Sequence, residues 1–243
     1  GFQHQMALII IKRRVGNTRL VADGGEVAQV RQGRMDPVFD GIQRMPRLYL
    51  VRHARPAASW GEETDPGLDA TGQQQAEAAA RTLAQTLDRM PIYTSPLRRC
   101  RETAHPLERL WQRSAEVFDS VAELPSPPVD LRARQQWLKQ AMLGTWREVN
   151  DFAPPGSPDY LGWRKTLLDS LARMPRDSVI FSHFIAINVV VGAAHSREDV
   201  VCFRPDHASI TCVDVVNDSL RIVELGRQTE TAVLARGQLV RNL

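Results

Sequence analysis

An arginine–histidine pair stands at the end of an apolar run in this sequence. Residues 48–51 are Leu-Tyr-Leu-Val, Arg52 and His53 follow directly, and Pro56 ends any regular structure. Two of these apolar side chains favour a pleated, buried surface, so the run predicts a core strand. Open α/β sheets keep their ligand crevices at the carboxyl ends of strands. The pair therefore places a permanent cation and a titratable nucleophile where a ligand would bind.

Two further segments repeat this arrangement. Residues 179–181 are Val-Ile-Phe and lead through Ser182 into His183, which predicts a second buried strand that ends on a histidine. A short strand at 92–94 is followed by Ser95-Pro96, a favoured pair for the N-cap and first turn of a helix. The sequence thus predicts a third strand end, followed at once by a helix start.

Basic side chains fall in the opening turns of the helix predicted after Ser95; they are Arg98, Arg99 and Arg101. Positive charge at this position opposes the helix dipole, at a cost of about 0.3–1 kcal/mol each. An anion held in front of the helix would offset that cost. We expect one of the three arginines to point inward and the other two to face solvent.

Strands and helices alternate along the chain, which predicts a three-layer α/β/α fold with a mostly parallel central sheet. Thr71 and Gln74 predict a capping box at the start of the first helix. Apolar spacing predicts an amphipathic helix or helix pair over 130–150 and a further helix from about Ser157. Asn217-Asp218, between two apolar runs, predicts a terminal hairpin or two neighbouring strands.

Side chains at the carboxyl ends of parallel strands meet along one sheet edge, so two histidines and two arginines would share a crevice. Such a set suits a phosphoryl dianion, because guanidinium groups bind its oxygens bidentately and helix-start N–H groups add donors. One histidine attacks phosphorus as a neutral imidazole, while the other, protonated, stabilises charge on the equatorial oxygens. Glu123, in the strand or extended segment 121–125, is predicted to protonate the leaving alcohol, with Asp119 and Glu116 as alternatives.

Composition and charge limit the function classes. The chain has 243 residues, 43% apolar and 24% charged, which is ordinary for a globular protein. Its net charge of +3 lies in residues 1–45, which hold seven Lys/Arg against four Asp/Glu, while residues 46–243 carry 24 charges of each sign. Because that body has no excess positive charge for a run of phosphates, we expect no nucleic-acid partner.

The three cysteines form no C-x-x-C pair and no metal-like cluster with histidine. This usage indicates a reducing, cytoplasmic setting and predicts neither a disulfide framework nor structural zinc. The apolar run at 6–11 is too short to span a bilayer, and no signal-peptide cleavage pattern is present, so we expect no membrane association.

Residues 1–45 differ in composition from the remainder of the chain, with scattered basic residues, glycine patches and no sustained hydrophobic periodicity. We interpret them as an N-terminal extension or expression leader, with Met45 as a natural start. The alternative is a hairpin in which 7–11 and 19–22 pair across Gly16-Asn17. The domain itself is then predicted at 46–243, with a helical insert or lid at 130–165.

Over about residues 46–225 the chain resembles the histidine phosphatase superfamily, also called the phosphoglycerate mutase-like family. Arg52-His53-Ala54 is similar to the family's Arg-His-Gly motif, with alanine in place of glycine. Residues 68–76 resemble the stretch that opens the first helix, and 95–104 resemble Ser-x-Leu-x-Arg-Ala-x-x-Thr-Ala. Ser182-His183 is similar to the second histidine motif, usually Gly-His-Gly, although both neighbours of the histidine depart from glycine.

The resemblance implies a phosphohistidine formed on His53 and a phosphate pocket of Arg52, Arg99 and His183, without metal or other cofactor. It implies Glu123 as the proton donor. The family often continues this acid into a Gly-x-Trp-Glu-Gly-like stretch, whereas Leu-Pro-Ser-Pro-Pro follows here.

The expected reaction is hydrolysis of a phosphomonoester, with a small phosphorylated molecule or a phosphohistidine protein as substrate. A mutase needs an extended basic lid, whereas the segment 125–155 offers only Arg132, Arg134, Lys139 and Arg147. We therefore expect hydrolysis in preference to mutase activity. A cofactor-dependent phosphoglycerate mutase-type phosphotransferase and a non-catalytic phospho-ligand-binding relative are the alternatives. The oligomeric state stays open, with a homodimer as one option.

Overall fold

The computed structural model describes residues 45–58 and 63–228. The predicted extension at 1–45 and its hairpin alternative therefore lie outside the described residues, apart from Met45. Within the two described ranges, no helix combines the length and apolar character that crossing a bilayer requires.

The strands are β1 (Arg47–Arg52), β2 (Ile92–Thr94), β3 (Glu116–Val117), β4 (Ser178–Ser182), β5 (Ile210–Val216) and β6 (Ser219–Glu224). In the described part of the chain they form one sheet, in the order β3-β2-β4-β1-β5-β6. The pairs β1–β4, β4–β2 and β2–β3 are parallel, while β5 runs antiparallel to both β1 and β6. The predicted, mostly parallel sheet is confirmed, with β1 and β4 at its centre.

The helices are α1 (Ala70–Thr86), α2 (Arg98–Trp111), α3 (Leu131–Ala141), α4 (Trp146–Asp151), α5 (Tyr160–Ala172) and α6 (Phe184–Ala194). Alternation along β1 assigns them to two layers. Leu48 and Leu50 pack into one core with residues of α3 to α6, and Val51 packs into another with residues of α1 and α2. These side chains are at most 1% exposed, and each such burial stabilises the fold by about 1.5–3 kcal/mol. The predicted three-layer α/β/α architecture is confirmed.

The first helix begins differently from the prediction. Its N-cap is Asp69, whose carboxylate accepts the Gly72 N–H at 2.7 Å, so a Thr71 capping box is wrong. Arg55, on the loop after β1, is the reason. Its side chain donates to Asp69 at 2.6 Å and to the Thr71 hydroxyl at 2.9 Å, so both side chains are tied to this loop. Residue 72 must be glycine, because a Cβ there would lie 2.1 Å from the Arg55 carbonyl oxygen.

The segment predicted as one helix or two at 130–150 is a pair, α3 and α4. A capping box of Thr145 and Glu148 starts α4 and separates the two helices. Trp146 is 1% exposed and lies within 5.9 Å of the Trp163 ring, which is a packing role. The predicted hairpin is also present, since Asn217 and Asp218 take φ of 48° and 56° between β5 and β6.

Candidate active site

Three parallel strands bring the predicted site residues to one edge of the sheet. Arg52 at the end of β1 is in register with Ser182 at the end of β4, and Thr94 at the end of β2 is in register with Phe181. His53 and His183 each follow by one residue, and the His53 N–H donates to the Ser182 carbonyl at 2.9 Å. Their ring centroids lie 5.2 Å apart, with the planes at 61°.

His53 is held as a neutral imidazole with one nitrogen unused. Its Nδ1 lies 2.9 Å from the Ala54 carbonyl oxygen, which can only accept, so Nδ1 carries the proton. Nε2 is buried and has no hydrogen-bond partner among the described residues. Burial, and then the nearby His183 and Arg52, hold the pKa of His53 well below its usual value. The lone pair on Nε2 is therefore available as a nucleophile at neutral pH.

His183 is fully buried at the N-cap of α6. Its Nε2 lies 2.7 Å from the Ser95 hydroxyl oxygen and 3.3 Å from the Cys100 sulfur. Burial, with Arg99 and Arg52 nearby, holds the pKa of His183 well below its usual value. The protein's own groups thus favour the neutral ring, which differs from the predicted imidazolium; a bound dianion would raise this pKa, because opposite charge favours the protonated form.

Arg52 presents its guanidinium at the end of β1. Nη1 donates to the Pro205 carbonyl at 2.8 Å, Nη2 lies 3.1 Å from His207 Nε2, and Cζ lies 5.0 Å from the centre of the Phe184 ring. The buried Nε has no hydrogen-bond partner within the described ranges. Burial lowers the pKa of Arg52 to about 10, so the group stays charged at neutral pH.

Arg99 is the arginine of α2 that turns inward. This residue is 4% exposed. Arg98 is exposed and pairs with Glu102 at 2.6 Å, and Arg101 is also exposed. One arginine thus points inward and the other two face solvent, as expected from the sequence. Nη1 of Arg99 lies 3.6 Å from Asp65 Oδ1, and its buried Nε is unpaired among the described residues. A second guanidinium thus has an unused N–H in the buried site.

Ser95 does not serve as the N-cap of α2. The cap position is Leu97, and the Ser95 hydroxyl accepts the Leu97 N–H at 3.3 Å in addition to its contact with His183. The carboxylate of Asp65 accepts the Arg98 N–H at 2.9 Å. This first helical donor is occupied by the protein itself, so it is not among the helix-start donors expected to meet an anion.

Glu123 follows the short 3₁₀ turn Asp119–Val121. The strand or extended segment predicted from residue 121 therefore begins one residue later, at Ala122, whose backbone is extended. Its carboxylate accepts the N–H groups of Leu124 at 3.0 Å and Ile185 at 3.4 Å. Burial raises the pKa of Glu123, against the opposing effect of these hydrogen bonds and of Arg99. A raised pKa favours the protonated form that a general acid needs. The two alternative acids, Glu116 and Asp119, are exposed.

Four side chains near the site escaped the sequence reasoning in this role. Ser95 and Cys100 contact His183, and their place within the 95–104 motif was the available signal. His207 reaches Arg52 from the segment before β5, and no local pattern indicates it. Arg134 of α3 is partly buried, and the pKa of this guanidinium is lowered by burial and by Arg99, against the effect of Glu123.

Comparison with known proteins identifies the class. Residues 48–228 match the family model of the histidine phosphatase superfamily (branch 1), and the chain belongs to that family. A search of curated proteins finds no significant match.

Solved structures share the fold at low sequence identity. A mycobacterial glucosyl-3-phosphoglycerate phosphatase is 21% identical, with 75% of this chain and 99% of that chain covered and a TM-score of 0.58. Mycobacterial hydrolase 1 is 20% identical, with 76% and 100% covered and a TM-score of 0.58. A phosphoglycerate mutase from Thermus thermophilus is 21% identical, with 75% and 99% covered and a TM-score of 0.51. These similarities establish the fold of this chain.

Proposed function

We propose that this chain is a phosphomonoester hydrolase that acts through a phosphohistidine on His53 and needs no metal or other cofactor. The observation that carries the proposal is the environment of His53 Nε2. This atom is buried, deprotonated and without a partner among the described residues, and it belongs to a ring that lies 5.2 Å from His183 and within the field of Arg52 and Arg99. An unsatisfied buried acceptor beside two cations is costly unless it serves a ligand.

In the first step, the Nε2 lone pair attacks phosphorus in line with the leaving oxygen. The P–N bond forms as the P–O ester bond breaks, and Glu123 gives its proton to the departing alcohol. Arg52, Arg99 and His183 hold the three equatorial oxygens, where negative charge is concentrated.

In the second step, water attacks the phosphohistidine. Glu123, now a carboxylate, takes a proton from this water, so the P–N bond breaks, orthophosphate leaves, and both His53 and Glu123 return to their starting forms. The raised pKa of Glu123 suits both duties, because a group that titrates nearer to the working pH can give and then take a proton.

A small phosphorylated molecule or a phosphohistidine protein is the proposed substrate. Hydrolysis is preferred over mutase activity because Arg132, Lys139 and Arg147 of the 125–155 segment are exposed, which leaves Arg134 as the basic residue of that segment beside the site. A mutase must hold a second phosphoryl group while the bisphosphorylated intermediate reorients in the site.

The proposal is tested by trapping the intermediate. Enzyme incubated with a ³²P-labelled phosphomonoester and quenched in acid is expected to carry acid-labile, base-stable label, and His53→Ala is expected to carry none. Label retained on His53→Ala would refute the assignment. A coupled phosphoglycerate assay, with and without the bisphosphate, separates the mutase alternative: interconversion stimulated by the bisphosphate would replace hydrolysis as the function.

A non-catalytic role makes a different prediction. Such a protein would bind orthophosphate or a phosphopeptide but show no turnover on a panel of phosphoesters, with or without chelator. Turnover that persists in chelator supports the proposed metal-independent hydrolysis.

A further inference from the structure

His207 lies in the segment between α6 and β5, and the backbone holds it against the end of β1. The Ala208 N–H donates to the Arg52 carbonyl at 3.1 Å, and the Arg52 N–H donates to the Ser209 carbonyl at 3.1 Å. These two bonds on either side of Arg52 fix the position of residues 207–209 relative to the strand that carries the site. The imidazole of His207 is consequently held with its centroid 5.9 Å from that of His53.

The contact between His207 and Arg52 has a defined direction. His207 Nε2 lies 3.1 Å from Arg52 Nη2. A guanidinium has donors and no acceptor, so Nε2 must accept, and the ring must be the neutral tautomer with its proton on Nδ1. Burial, followed by the charge of Arg52, lowers the pKa of His207 to about 4, which keeps this form at neutral pH.

Three contacts together determine the plane of the Arg52 guanidinium. Nη1 is tied to the Pro205 carbonyl at 2.8 Å, Nη2 to His207, and the group lies over the Phe184 ring at 5.0 Å. The buried Nε–H has no partner in the described part of the chain. A guanidinium held in a fixed plane points its remaining N–H in a defined direction, which a directed hydrogen bond to a phosphoryl oxygen requires.

We propose that His207 is a positioning residue of the phosphate pocket: it accepts an N–H from Arg52 and so holds the guanidinium with its Nε–H free for a phosphoryl oxygen. This inference rests on the proposed function. The role requires an acceptor at the position of Nε2, and shape alone does not satisfy it. Glutamine can place its amide oxygen near that position, whereas leucine and alanine cannot.

The experiment compares His207→Leu, His207→Ala and His207→Gln with the wild type. Orthophosphate binding is measured by calorimetry, which needs no turnover, and KM and kcat are measured with an aryl phosphate. Because the lost bond involves a charged group, the two truncations are expected to weaken orthophosphate binding and raise KM by about 10-fold or more, with a smaller change in kcat. His207→Gln is expected to stay within about 3-fold of wild type for the same reason.

The matched control is His105→Leu, which replaces a histidine on α2 whose side chain is 55% exposed. It is expected to bind orthophosphate as the wild type does. Circular dichroism spectra and melting temperatures show whether each variant is folded, and the alanine variant supplies the truncation if leucine does not fit.

Each outcome bears on the inference. Truncations that bind orthophosphate like the wild type overturn it, and so does a glutamine variant as weak as the leucine variant. If the wild type binds orthophosphate and the variants follow the expected order, but no phosphoester is hydrolysed, the inference stands and the proposed function fails. A wild type that neither binds orthophosphate nor hydrolyses any phosphoester overturns both.

Discussion

The rings of His53 and His183 meet edge to face, with centroids 5.2 Å apart, because both histidines stand one residue beyond the paired ends of β1 and β4. Parallel pairing places the carboxyl ends of these strands at the same sheet edge, and the backbone bond from His53 to Ser182 fixes their relative height. Two segments that are remote in the chain thereby contribute one imidazole each to a single buried site.

Removal of Glu123, the proposed proton donor, is expected to affect substrates unequally. Glu123→Gln should slow hydrolysis of an alkyl phosphate by about 10²- to 10⁴-fold, because a poor leaving group needs a proton as the ester bond breaks. An aryl phosphate with a good leaving group should be slowed far less in its first step. Burst-phase kinetics on the two substrates measure the difference. Glu116→Gln, on the exposed β3, is the control, and equal slowing of both substrates would argue against Glu123 as the acid.

Loss of the Ser95 hydroxyl is expected to impair His183. Ser95 is fully buried, and its oxygen lies 2.7 Å from His183 Nε2, so Ser95→Ala leaves a buried ring nitrogen with a weaker sulfur neighbour, Cys100. An unmade buried hydrogen bond costs about 1–3 kcal/mol, which corresponds to a decrease in kcat/KM of about 5- to 150-fold. Steady-state kinetics with Ser120→Ala as the control provide the check. Wild-type kcat/KM in Ser95→Ala would show that this hydroxyl does not orient His183.

Acidification is expected to destabilise the fold. Burial holds the pKa values of His53, His183 and His207 below the usual value, whereas in the unfolded chain a histidine titrates near about 6.5. As the pH falls below that value, the unfolded chain takes up protons that the native protein does not. Each histidine then lowers the free energy of unfolding by up to about 1.4 kcal/mol per pH unit.

Glu123 acts in the opposite sense within its own range. Since its pKa is raised in the native protein, the native state takes up this proton before the unfolded chain does, which partly offsets the histidine effect as the pH approaches about 4.5. Chemical denaturation at pH 7, 6 and 5 measures the sum. His207→Gln should show a shallower loss between pH 6.5 and 5, and a wild-type free energy of unfolding that is unchanged from pH 7 to 5 would contradict the prediction.

A methyl group at residue 72 is expected to break the start of α1. The Cβ of Gly72→Ala would lie 2.1 Å from the Arg55 carbonyl oxygen, a backbone atom that cannot rotate away. Shifts of backbone to relieve overpacking cost about 1–3 kcal/mol, so the melting temperature should fall clearly. Gly192→Ala is the matched control within α6, where the nearest heavy atom would be at 3.4 Å, and a change to alanine should alter the melting temperature little. Equal melting temperatures for the two variants would disprove this account of Gly72.

Strand ends were predictable because local patterns specify them. Apolar runs that stop on Arg52-His53 and on His183, and the helix start that carries Arg99, are each contained in fewer than ten residues, and parallel topology then requires that they meet. Helix caps were less predictable. The N-cap of α1 is Asp69 and not the predicted Thr71, and the N-cap of α2 is Leu97 and not the predicted Ser95. The reason is that Arg55, Asp65 and His183 compete for the same polar groups from remote positions.

The sequence by itself determined the fold class, the layers and the polar residues at each strand end, since these depend on periodicity and on the order of strands and helices. Tertiary structure alone decided the protonation states and the contacts that orient the site. The low pKa of His53 and His183, the raised pKa of Glu123 and the contact of His207 with Arg52 arise from burial and from distances across the chain. A solvated peptide of any of these segments would show none of them, because water screens charge and satisfies every donor and acceptor that the folded core must pair.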